Sequence, residues 1–101
     1  DLAGASIARG LYEVRAYQRI TVADGVSSSA QITIGWTEGG VLQSETFTAL
    51  TGDTTTTVLT GPAKTFRADA STPITYAVSY ASNTPGQMHF SLDLTLSRVA
   101  A

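Results

Sequence analysis

Ile74-Thr75-Tyr76-Ala77-Val78-Ser79-Tyr80 and Met88-His89-Phe90-Ser91-Leu92-Asp93-Leu94-Thr95-Leu96, joined through Asn83-Thr84-Pro85-Gly86, decide the fold class of this 101-residue chain. Side chains on a strand alternate between two faces with period two. Ile74, Tyr76, Val78 and Tyr80 therefore point one way, as do Met88, Phe90, Leu92, Leu94 and Leu96, with Thr, Ser, His and Asp opposite them. The expectation is a β-hairpin with one apolar face. Nine large apolar side chains on one side of two strands need a cover. The rest of the chain supplies it, which makes the fold all-β: a small antiparallel β-sandwich, or a Greek-key or jelly-roll barrel, of about seven to eight strands.

Upstream the chain keeps the same style. Residues 1–10 are small and Gly-punctuated, with Leu2 and Ile7 as the apolar points, and read as an N-terminal arm or loop ahead of a single domain over residues 11–101. Leu2 and Ile7 would anchor such an arm on a neighbouring subunit. Leu11 to Val22 is a long strand that turns Tyr12, Val14, Ala16, Gln18, Ile20 and Val22 to the core. Its outer face carries Leu11, Arg15, Tyr17 and Arg19 in register, a candidate contact stripe. Ala30 to Trp36 is a second strand, and Glu38-Gly39-Gly40 a tight reversal, since glycine accepts the positive φ of hairpin turns. Val41 to Leu50 returns with mixed facing, which a bulge near Ser44 or Glu45 would reconcile. Thr54 to Thr60 is a Thr-rich edge strand, and Lys64 to Ala68 a short strand around Phe66.

Composition narrows the function classes. Only 14% of residues are charged, against roughly 25% in ordinary domains, and sixteen Thr with ten Ser fill the deficit. Such a surface suits burial against identical neighbours, because interface cores are depleted in charge. A net charge of −2 with scattered arginines argues against nucleic acid, which demands a clustered basic surface. No apolar run approaches the ~20 residues that span a bilayer, so no membrane partner is expected. The chain opens on Asp1 without a Met, which leaves processing or removal of an upstream segment open.

Little chemistry is written in the residues. There is no Cys and only one His, so neither a metal site nor a cofactor is expected. His89, Ser91 and Asp93 share a face, yet residues two apart on a strand lie about 6–7 Å apart, beyond hydrogen-bond reach. A hydrolase built on His89 is the weakest of the functional readings. A glycan-binding or host-receptor-binding module needs exposed coplanar aromatics, whereas Trp36, Tyr76 and Tyr80 share faces with Ile and Val and read as core; Tyr17 alone falls on an outer face.

The stretch from Thr75-Tyr76-Ala77-Val78-Ser79-Tyr80-Ala81-Ser82 through Pro85-Gly86 to Met88-His89-Phe90-Ser91-Leu92-Asp93-Leu94 resembles the C-terminal hairpin of small virion proteins of tailed bacteriophages. There a Tyr-Ala-Ser segment precedes Met-x-Tyr/Phe-Ser-Leu-x-Leu. The resemblance covers roughly the last quarter of the chain. It implies a non-enzymatic β-sandwich on the particle surface, decorating a capsid or joining a fibre or tail. It also implies a homo-oligomer, often a trimer, among other virion proteins, and brings no catalytic residues. A surface glycan is the partner in the alternative reading.

Overall fold

The computed structural model describes residues 2, 7–24, 28–53, 55, 58–59, 63–81 and 87–101. Eight strands run in the order β1 (Gly10–Val22), β2 (Ser29–Glu38), β3 (Val41–Thr46), β4 (Leu50–Thr51), β5 (Val58–Leu59), β6 (Lys64–Ala68), β7 (Thr75–Ala81) and β8 (His89–Ala100). They form two four-stranded antiparallel sheets, a β-sandwich, with no helix among the described residues.

Each sheet is built on one long central strand. In the first, β8 pairs with β1 from Leu11 to Val22, so the short β6 and β5, which pair with Gly10 to Val14 and with Gln18 and Arg19, must share the other edge of β1. In the second, β7 pairs with β2 from Ser29 to Gly35, which puts β3 and β4 one after the other along the opposite edge. The core lies between the two central strands. Val14, Ala16 and Ile20 of β1 and Ala30, Ile32, Ile34 and Trp36 of β2 are buried against Phe47, Leu50, Leu59, Phe66 and Ile74.

One flank of the sandwich is sealed by aromatics. Phe66 of β6 stacks on Trp36 of β2 with ring centroids 4.3 Å apart, and Tyr12 lies 6.3 Å from the same ring. Lys64 sets its ammonium 5.5 Å from the centre of the Phe47 ring. Such stacked pairs add to plain area burial.

The alternating face of β1 stands as expected from Tyr12 to Ile20, but Val22 is exposed, because an irregular step between Ile20 and Val22 breaks the alternation. The Gly39-Gly40 reversal is a two-residue turn with φ of 59° and 75°, closing Glu38 on Val41, the left-handed backbone that suits the twist of paired strands. No bulge occurs at Ser44 or Glu45. β3 pairs without a break from Val41 to Thr46, and the Phe47 N–H, donating to the Ile32 carbonyl at 2.9 Å, continues the same register. The pairing with β2 then shifts by one residue between Phe47 and Leu50, which turns both of these side chains into the core and resolves the mixed facing.

The largest correction concerns the closing pair. β7 and β8 do not form a hairpin; β7 joins β2 in one sheet and β8 joins β1 in the other. Alternation states which side chains share a face and is silent on which strand lies alongside. The connection through Asn83 to Gly86 falls outside the described residues, as do Asp1 and residues 3–6 of the expected arm.

Candidate interaction surface

Because β7 and β8 enter different sheets, both become edge strands, and both lie on the flank opposite the Trp36–Phe66 seal. Their inward side chains are fixed by register. Tyr76, Val78 and Tyr80 sit across from the buried Ile34, Ile32 and Ala30; Phe90, Leu92, Leu94 and Leu96 sit across from Ile20, Gln18, Ala16 and Val14. An inner-edge position has the opposite sheet on one side and no described strand beyond. These residues are accordingly only half-covered, with Tyr76 49% and Tyr80 42% exposed.

The flank is pinned at two points. At one end the Tyr80 hydroxyl donates to the Met88 carbonyl at 2.6 Å, and its ring lies 6.1 Å from that of Phe90. Further along, Leu2 donates its N–H to the Ile74 carbonyl at 2.6 Å and sets its side chain between the sheets. Leu2, Tyr76, Leu92 and Leu94 there line a cleft of about 220 Å³ that opens to solvent. The inward rows of β7 and β8 bring no charged side chain to this mouth before Arg98.

The contact residues read from the sequence scatter over three places. Leu2 belongs to the mouth. Ile7 is buried in the chain's own core, its carbonyl accepting from the Ser71 N–H at 2.9 Å. Leu11, Arg15, Tyr17 and Arg19 form the outer row of β1, as the alternation requires, with Leu11 half-buried and the others exposed. Arg15 donates from Nε to Glu13 Oε1 at 2.6 Å, an exposed pair that contributes little. Tyr17 lies across from Asp93, and Arg19 across from Ser91 and Val58. His89, Ser91 and Asp93 share the outer face of β8, as expected.

Sequence reasoning missed the β7 and β8 rows as a surface, because it assigned them wholly to the core. The available signal was an imbalance: these two strands carry more large apolar side chains than the short β4, β5 and β6 can cover. Trp36, by contrast, is a core residue as expected, and its stacking on Phe66 removes it as a platform for a sugar ring.

Elsewhere the geometry is structural. At the far tip of β2 the Asp69 carboxylate accepts from the Gly40 N–H at 2.9 Å and from the Gly39 N–H at 3.0 Å, clasping the reversal. Those two bonds, Gly40 first, hold its carboxyl below the ordinary value, with the nearby Arg9 acting in the same direction. Among the described residues no three His, Asp or Glu side chains converge as metal ligands, and no helix is long and apolar enough to cross a membrane.

No family model, no curated protein and no solved structure matches the chain. The flank geometry therefore carries the functional argument.

Proposed function

We propose that this chain is a non-enzymatic structural subunit of a tailed-phage particle, decorating the capsid or forming part of a fibre or tail, and that it works through contacts between identical copies. The observation that carries the reading is the open flank, where the inward rows of β7 and β8 are left half-exposed beside two strand edges. An apolar, charge-poor strip rimmed by polar residues is the anatomy of a protein interface. The Thr- and Ser-rich outer faces fit a protein whose task is to present and bury surface. The likeness of the last quarter of the chain to small phage virion proteins supplies the setting.

Two measurements test it. Light scattering coupled to size exclusion is expected to give a mass of more than one chain that survives dilution to the low micromolar range; a strict monomer at tens of micromolar would overturn the oligomer. Mass spectrometry of purified particles from a culture that makes the protein is expected to detect it at structural copy number. Its presence in the lysate but not in the particles would remove the virion assignment.

A further inference from the structure

We infer that the free edge of β8 is the seam between copies, pairing antiparallel with the β8 of a second copy about a two-fold axis through Leu94. This rests on the assembly reading above and specifies its geometry.

The edge itself is the first argument. β8 is twelve residues long, about 40 Å at ~3.4 Å per residue, and among the described strands it pairs only with β1. Its register against β1 is unbroken from Phe90 to Arg98. Proteins usually blunt a solvent-facing edge with Pro, Lys, a bulge or brevity. β8 carries no Pro or Lys, and its irregular steps lie at its two ends. An edge left this long and regular is built for a strand.

Register identifies the strand. Directly opposed residues of an antiparallel pair share a face, so a self-pairing must centre on a residue and keep inward side chains against inward ones. Centring on Asp93 would set Phe90 on Leu96 and Leu92 on Leu94 but would put two carboxylates face to face, a destabilising pair. Centring on Thr95 would set Leu92 against Arg98. Centring on Leu94 sets Leu94 on Leu94 and Leu92 on Leu96 twice over, sends Asp93 to Thr95 and Ser91 to Ser97, moves Arg98 out to Phe90 near the end of the ladder, and opposes no like charges. Centring on Leu92 gives as many pairs of large apolar side chains and also avoids the Asp93 clash, but it engages only residues 89–95, whereas centring on Leu94 engages residues 89–99 and so forms the longer ladder.

Size agrees. The molecule measures 44 × 20 × 18 Å, so a flank running its length spans on the order of 800 Å², the share each partner gives to a standard interface. An axis normal to the sheet also brings the two mouths together and covers Tyr76 and Tyr80. The patch meets its own copy, as an isologous dimer requires.

The test uses the exposed Thr95, which lies beside Arg15 within the chain. Thr95→Asp puts a carboxylate next to Arg15 but opposite the Asp93 of the second copy, twice per dimer; Thr95→Lys does the reverse. Sedimentation equilibrium is expected to show a two-chain wild type, a Kd raised roughly two- to thirtyfold by Thr95→Asp, and one lowered or unchanged by Thr95→Lys. Effects confined to the isolated fold would run the other way.

The chain has no cysteine, so Leu94→Cys gives one thiol per copy, expected to form a disulfide-linked dimer when oxidised by added diamide, whereas Leu42→Cys on β3 is expected not to. An assembly indifferent to both Thr95 variants, or one of three chains, would overturn the seam and leave the assembly reading standing. A strict monomer would overturn both.

Discussion

Gln18 is the most deeply buried polar side chain among the described residues, and replacing it is expected to stabilise the protein. It is 0% exposed, and neither amide atom has a hydrogen-bond partner among the described residues. Its neighbours across the ladder are Leu59 and Leu92, and along the same face Ala16 and Ile20. A buried amide without a partner forfeits its bonds to water and gains nothing in return. Leaving a buried donor or acceptor unsatisfied costs about 1–3 kcal/mol. Methionine has nearly the same length and an unbranched stem, so Gln18→Met removes the amide with little change of volume. The expected gain is about 1–3 kcal/mol, and each kcal/mol raises Tm by about 4–8 °C in a domain of this size. The assay is thermal and denaturant unfolding at one fixed protein concentration, because association shifts apparent stability. The denaturant slope should stay constant while the midpoint rises. A fall in Tm with Gln18→Met would refute the reasoning, since it would mean that the amide is satisfied in the folded protein.

Gly52→Ala is expected to destabilise by about 1–3 kcal/mol in the same assay, because a Cβ there would sit 1.8 Å from Met88 Sδ and 2.6 Å from Ser28 Oγ. Asp69→Ala is expected to lower Tm near neutral pH and to disorder the Gly39-Gly40 turn, read as loss of amide-exchange protection at those two residues. Because the folded carboxyl titrates below the ordinary carboxylate range, its contribution is present above that range and fades as pH falls through the lowered value; Asp69→Asn should flatten that part of the pH–stability curve. Trp36, buried against Phe66, should emit at short wavelength and resist iodide quenching, and an emission typical of exposed indole would place it outside the core.

The elements were largely legible in the sequence, and the pairing was not. β1, β2 and β6 fall within one or two residues of the positions that alternation and glycine punctuation dictate, because a strand buried on one face must write that face into every second residue. Trp36, Ile32 and Ile34 could be assigned to the core for the same reason. The facing of Phe47 and Leu50 could not be placed: the one-residue shift between them, which turns both into the core, is set by their pairing with Ile32 and Ala30 of β2 and has no local signature. The β7 and β8 partners were equally hidden. A short connection with Pro and Gly favours a hairpin locally, while the long free edges of β1 and β2 compete for the same strands with many more ladder bonds.

That competition also explains the surface. Had β7 and β8 zipped to each other, their apolar rows would have shared one sheet and one cover. By crossing from one sheet to the other the chain completes both four-stranded sheets but stacks two edges on a single flank, with inward rows too far from the opposite centre to be buried. A domain of this size hides a smaller fraction of its apolar surface than a larger one and gains more from a partner. The half-exposed rows therefore follow from the topology that satisfies the backbone best, and a second copy offers the matching rows in the register that keeps Asp93 apart from its mate. The feature that leaves the isolated chain half-covered is the one that the proposed assembly would bury.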